Sequence, residues 1–259
     1  MEGTRAGDSS EGETVKSDQK LFSIIEYLTE HGESGVTEIA TDLGMAKSTV
    51  HLHLNTLLDS GYAVKNGTQY DLSLKFLDIG ITKKNRIGIH KDIEPKMEEI
   101  AEKSGEQVWF WVEENGKAVV LSKAFGEHAL ITDGRIGKYM GLHCTAGGKA
   151  LLANMPEWHV EEIIEQHGLP AQTSNTITEP ENLFSELEEI RETGLAFSEE
   201  ENIRGVNAIA AAIMDNDGTV HGSISVSGPS TRVDASVDTE EAELLQEVTK
   251  ELGINLSYV

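Results

Sequence analysis

Val36-Thr37-Glu38-Ile39-Ala40-Thr41-Asp42-Leu43-Gly44 runs straight into Met45-Ala46-Lys47-Ser48-Thr49-Val50, and the way this stretch folds decides the N-terminal half of the chain. Ile39, Ala40 and Leu43 share one side of a short helix, with Thr37 as its expected N-cap and Gly44 as its stop. After a brief turn a further helix is expected from near Ala46, with Val50, Leu54, Leu57 and Leu58 inward and Gly61 at its end. Upstream, Leu21, Ile24, Ile25 and Leu28 recur at helical spacing, so residues 20–31 form another helix that Gly32 closes. Two helices, a tight glycine-containing turn and a third helix make a helix-turn-helix. The outer face of the last helix carries Lys47, Ser48, Thr49, His51, His53 and Asn55. Such groups reach phosphates and base edges in a major groove.

Downstream, residues 62–65 and 69–72 flank Asn66-Gly67, a strong tight-turn signal. A hairpin directly behind a recognition helix is a wing, and Lys65 lies on it. A small helical bundle with an incidental hairpin is the competing reading. The wing and the polar Lys47-Ser48-Thr49 opening of the third helix weigh against it.

The 259 residues are enough for two domains, and 38% hydrophobic content suits a globular chain. No apolar run is long enough to span a membrane. Residues 1–18 are rich in Gly, Ser, Glu and Thr and lack a signal-peptide core, so they read as a disordered acidic tail and the chain as cytoplasmic. Cys144 is the single cysteine, which excludes an internal disulfide and a zinc site built from several thiolates. Neither a metal nor another cofactor is expected.

The net charge of −24 argues, taken alone, against a nucleic-acid partner. Its distribution answers the objection. Residues 20–90 hold seven Lys/Arg against eight Asp/Glu, so nearly all the excess lies elsewhere. A dense acidic surface suits a salt-accumulating cytoplasm such as a haloarchaeon's, where repulsion is screened. An ordinary solvated acidic surface is the alternative.

Residues 74–104 read as helical with a break near Gly80 to Gly88, and Pro95 fits best in a first turn. From Glu106 the period changes to two. Strands are expected over 108–112 and 118–121 around Glu114-Asn115-Gly116, with further short strands near 128–132 and 136–141. Helices follow near 146–153, 157–167 and 181–193, then strands over 207–214 and 219–227 and a closing helix over 240–252. Antiparallel hairpins interleaved with helices give an α+β domain.

Two stretches there carry chemistry. Leu142-His143-Cys144-Thr145-Ala146-Gly147-Gly148-Lys149-Ala150 opens a helix with small residues, exposing backbone N–H groups to an anion. It is not a nucleotide phosphate loop, because His143 falls on the first glycine and Ala150 on the required Ser/Thr. Adjacent His143 and Cys144 do not make a nucleophile–base pair, and read as packing residues at a helix start. In Gly222-Ser223-Ile224-Ser225-Val226-Ser227-Gly228-Pro229, alternation puts three serines on one strand face. That is either an ordinary polar face or a row of donors for a small polar ligand.

Val36-Thr37-Glu38-Ile39-Ala40, Gly44, Lys47-Ser48-Thr49-Val50, Thr56-Leu57, Gly61-Tyr62 and Tyr70 resemble the DNA-binding domain of the IclR (isocitrate lyase regulator) family. The Leu142–Ala150 stretch, Gly194 with Glu199-Glu200-Glu201, Gly205, Ile209-Ala210-Ala211 and Ser225–Pro229 resemble its effector-binding domain, in order and over about residues 95–250. The resemblance implies a DNA-binding repressor or activator gated by a small organic acid, sugar acid or aromatic effector, and no enzyme. The implied fold is α+β: a winged helix-turn-helix over 19–80, a linker helix over 81–104 and a GAF/profilin-like effector-binding domain over 105–259. It also implies a homodimer or homotetramer on a double-stranded DNA operator, without membrane attachment.

Carried over residue by residue, the effector's anion meets backbone at Ala146 and Gly147 and hydroxyls at Ser225 and Ser227, with Thr132 and Ala208 in the wall. Ser198 stands where the family often has aspartate, which makes the pocket less hostile to a second anionic group. In the recognition helix Leu52 replaces a common basic residue, and Asn55 often another. Fewer cations mean less counterion release and a weaker salt dependence. An enzyme and a DNA-independent interaction module are the competing classes. The first lacks a nucleophile–base pair or metal cluster, and only the charge favours the second.

Overall fold

The computed structural model describes residues 14–87, 90–132 and 134–256. The chain divides into two compact units, Met1–Lys83 and Lys84–Val259. In the first, helix α1 (Lys16–His31) is followed by strand β1 (Ser34–Gly35) and helices α2 (Val36–Asp42) and α3 (Lys47–Asp59). Strands β2 (Ala63–Asn66) and β3 (Gln69–Leu72) follow, and the unit's last residues lie in the helix that begins at Lys75. Ile24, Leu28, Ile39, Val50, Leu54 and Tyr70 form its buried core. Gly44, at φ +62, turns α2 toward α3, a conformation costly for any residue with a Cβ.

Residues 1–13 of the anticipated tail lie outside the described residues, but residues 16–18 already belong to α1. Asp18 sits in its first turn, where the positive end of the helix dipole favours a carboxylate. Thr37 is not the N-cap of α2. That position is Gly35, whose N–H donates to the Glu38 carboxylate at 3.4 Å. Asn66 pairs with Gln69, so the tight turn is Gly67-Thr68, one residue later than expected. Ser34–Gly35 adds a third strand, in the order β1-β3-β2, too short to leave a periodic signal. Helix α4 (Lys75–Arg86) runs through Gly80, and the break expected near Gly80 to Gly88 falls at the end of that range, after Arg86. A mid-helix glycine costs only about 1 kcal/mol. Gly88 lies outside the described residues.

The second unit opens with α5 (His90–Ser104), strands β4 (Gln107–Glu114), β5 (Lys117–Phe125) and β6 (Tyr139–Gly141), and helices α6 (Ala146–Ala153), α7 (Glu157–His167) and α8 (Pro180–Thr193). It ends with β7 (Ala196–Glu199), β8 (Val206–Met214), β9 (Val220–Pro229) and α9 (Glu240–Leu256). Pro95 sits in the second turn of α5, not in the first as expected, because the helix opens at His90. No strand forms over 128–132. His128 and Ala129 give their N–H groups to the Gly105 and Gly126 carbonyls, at 2.8 and 3.2 Å, instead of to a ladder. Strand β7 had no counterpart in the expected elements.

The six strands make one antiparallel sheet in the order β6-β5-β4-β9-β8-β7. Alternation gives each strand two faces. Val108, Phe110, Ile209, Ile224 and Val226 pack against Ile93, Met97 and Ile100 of α5 and Leu245, Val248 and Leu252 of α9. Trp109, Trp111, Val120 and Ala210 face the other way, toward Ala146, Ala150 and Leu151 of α6 and Leu187 and Ile190 of α8. No helix among the described residues is long and apolar enough to cross a membrane.

Candidate functional site

On α3, Lys47, Ser48 and His51 are exposed, whereas Thr49, His53 and Asn55 are half-buried. His51 and Asn55, one turn apart, join Nδ1 to Nδ2 at 3.3 Å on the outer surface. Leu52 is also exposed. Lys65 lies on β2 with its Nζ 5.0 Å from the Tyr70 ring centroid. In the second unit the Lys84 ammonium is engaged with Glu94 at 2.9 Å.

A cavity of about 510 Å³ opens on the sheet face that α6 covers. Thr132, Ala146, Gly147, Ser198, Ala208, Ser225 and Ser227 all line it. Sheet register explains how residues from separate stretches meet. Ser198 on β7 lies opposite Ala208 on β8, Ala208 opposite Ser227 on β9, and Ser227 opposite Gln107 on β4. One row crosses four strands beneath the cavity.

The serine hydroxyls are already oriented. Trp111 Nε1 donates to Ser225 Oγ at 2.8 Å, and Trp109 Nε1 to Ser227 Oγ at 2.9 Å. An indole N–H only donates, so each serine oxygen is held as acceptor and its own O–H remains to donate. Ser223 does not continue this row of donors. It is fully buried and its hydroxyl donates to the Gly147 carbonyl at 2.8 Å, fastening α6 to β9.

Opposite the serines, Ala146 and Gly147 supply the first two amides of α6, whose N–H groups have no acceptor within the helix. Thr145 caps it, accepting from Gly148 N at 3.1 Å. A Cβ at position 147 would lie 2.3 Å from Trp111 Cδ1, so only glycine lets the helix start lie against the indole. Amides, helix dipole and hydroxyls converge at one end of the cavity, an arrangement whose chemistry favours an anion.

His143 and Cys144 do not take part. Burial holds the His143 imidazole below its ordinary pKa, and its Nε2 meets the Pro170 carbonyl at 3.2 Å. Burial pushes the Cys144 thiol up to about 11, and its Sγ donates to the Gly141 carbonyl. Such a thiol is unreactive. Behind them, the fully buried Lys149 binds both Glu186 and Glu201, the latter at 2.7 Å. Sequence reasoning missed this cluster, because Glu186 and Glu201 are remote in the chain. It also missed Trp109, Trp111, Lys138, Gln172 and Asn202, which line the cavity. The alternating tryptophans on a predicted strand were the available signal. The other three lie outside periodic segments and left none.

A family model for the IclR helix-turn-helix domain matches residues 19–67, and one for the C-terminal part of the bacterial transcriptional regulator IclR matches residues 82–253. The chain is 29% identical to the HTH-type transcriptional regulator KdgR of Escherichia coli over 248 residues, covering 95% of this chain and 94% of the relative. It is 26% identical to the probable HTH-type transcriptional regulator ArcR of Halobacterium salinarum, over 97% of both chains. Among solved structures, the Thermotoga maritima IclR superimposes with a TM-score of 0.78 at 28% identity, covering 93% of this chain and 99% of that one.

Proposed function

This chain belongs to the IclR family of DNA-binding transcriptional regulators, and from that premise we propose that a small carboxylate, carried on a hydroxylated or aromatic body, binds the cavity and gates operator binding. One observation carries the reading: the seven residues expected to meet an effector line a single cavity, with backbone and hydroxyl donors converging at one end. The ligand's carboxylate accepts from the Ala146 and Gly147 amides and the Ser225 and Ser227 hydroxyls, while Thr132, Ser198 and Ala208 shape the wall. By linkage, a ligand that prefers one domain arrangement changes DNA affinity by the same free energy that DNA returns to the ligand.

Residues 19–80 read the operator in this proposal, 81–104 link and 105–259 sense. Lys47 and Lys65 contact backbone phosphate. Ser48, Thr49, His51, His53 and Asn55 face the major groove, and exposed Leu52 suits a thymine methyl group. The acidic surface is that of a protein working in high salt, where a Debye length of about 3 Å at 1 M removes most of the repulsion toward DNA and toward an anionic ligand.

The test is a thermal-shift screen of organic acids, sugar acids and aromatics in molar KCl, repeated on Ser225→Ala with Ser227→Ala. The double variant is expected to lose the ligand-induced shift and the ligand's effect on operator binding, while binding DNA normally. A hit that stabilises both proteins equally would move the site elsewhere.

A dimer is expected as well. One winged helix covers one half-site, and Lys and Arg are scarce, so joining two modules raises affinity through effective concentration. Light scattering at micromolar protein in high salt should give at least twice the 28.2 kDa chain mass. A monomer alone would refute it.

A further inference from the structure

Lys138 lines the cavity beside the groups already described, and its ammonium has no hydrogen-bond or ion-pair partner among the described residues. Several lysines of this unit are engaged: Lys96 with Glu251, Lys103 with Glu99, Lys149 with Glu186 and Glu201, and Lys123 with the Gly134 carbonyl. Lys117 and Lys250, like Lys138, meet no partner among the described residues, but neither lines this cavity. No Asp or Glu occurs among the described lining residues. Among the described residues, then, the Lys138 ammonium lines this cavity without a carboxylate beside it, and is available to an anionic ligand.

Its position is equally informative. Lys138 immediately precedes β6 at one edge of the sheet, whereas Ser225 and Ser227 lie on β9, three strands away. At about 4.8 Å per strand the backbones are roughly 14 Å apart. Both ends line the same cavity, so a ligand that touches Lys138 and the serine pair has to span what the lysine side chain does not reach. Gln172 and Asn202, whose amides donate and accept, also line the cavity, and Ser198 puts a neutral hydroxyl in the row beneath it.

We propose that the cavity is built for a dianion: a short hydroxylated dicarboxylate with one carboxylate at the start of α6 and the serine pair, and the other on Lys138 Nζ. This rests on the reading of the cavity as the effector site. In high salt the acidic surface is screened and discriminates little between one charge and two, so preference for the second charge must come from a cation inside the cavity, and Lys138 supplies it.

Two matched pairs of probes test this by calorimetry in molar KCl: glucarate against gluconate, and adipate against hexanoate. The wild type should bind the dicarboxylate of at least one pair about tenfold or more tighter than its monocarboxylate partner, as for one charge-assisted hydrogen bond. Lys138→Met should abolish or invert that ratio, and Lys138→Arg should keep it. The ligand-free melting temperature of Lys138→Met should match wild type, since the ammonium holds nothing. Equal affinities in the wild type, or a dicarboxylate preference that survives Lys138→Met, would overturn the proposal. Monocarboxylate binding that is lost in the Ser225→Ala, Ser227→Ala variant would then leave the effector site standing. If neither member of either pair binds, the dianion is refuted. The effector-site reading falls with it only if the wider screen also yields no ligand sensitive to the two serines.

Discussion

Replacing Lys149 by Met should destabilise the C-terminal unit by about 3–5 kcal/mol at neutral pH, the usual cost of stranding a buried charge. Lys149 is 0% exposed and neutralises Glu201 and Glu186, whose side chains are 9% and 28% exposed. Without the ammonium, two carboxylates are left together beside α6, and Glu201 Oε2 already has no hydrogen-bond partner among the described residues. The loss should depend on pH with a defined sign. Burial holds the Glu201 carboxyl above the usual carboxylate range, against the pull of Lys149. A raised folded-state pKa favours folding below the ordinary carboxylate pKa, and that contribution is lost as pH rises through the folded value. Removing Lys149 raises the value further. The gap between variant and wild type should therefore be widest at neutral pH and narrow toward the ordinary carboxylate range, where Glu201 protonates. Urea unfolding followed by tryptophan emission at several pH values measures this. Adding Glu186→Gln and Glu201→Gln to Lys149→Met should recover much of the loss, because the stranded charges go with it. A Lys149→Met protein as stable as wild type would show that the cluster is better solvated than its burial implies.

The second large effect concerns α3. The triple variant Lys47→Ala, Thr49→Ala, His53→Ala should lose operator protection while keeping its ligand-induced thermal shift. Lys47→Ala alone should weaken all sequences alike, and His53→Ala should relax preference at one base pair by about 1–3 kcal/mol. Asn55→Ala should act partly through His51, since it removes the group that holds that ring. Operator fragments for footprinting come from DNA that co-purifies with the protein from its own host. Normal protection by the triple variant would mean that another surface reads the DNA.

Local sequence was sufficient wherever structure depends on neighbours in the chain. The period of Leu21, Ile24 and Leu28 and that of Val50, Leu54 and Leu57 specify two helices of the first unit, since burial of one apolar face is what makes such segments helical. Glu114-Asn115-Gly116 specified a hairpin because Asn115 and Gly116 both accept positive φ, at 54° and 71°. Alternation put Ser225 and Ser227 on one face of β9 before any partner was known. Tertiary structure decided what those groups do. Two indoles on β4 turn the serine hydroxyls into donors, and Ser223, identical in the sequence pattern, is consumed by the Gly147 carbonyl. Lys149 was legible only as part of a glycine-rich helix start, and Lys138 not at all. Their roles depend on the carboxylates that the fold brings to Lys149 and on the cavity that Lys138 lines. Pairing across a sheet and burial of charge are set by contacts between segments far apart in the chain, to which no local period responds.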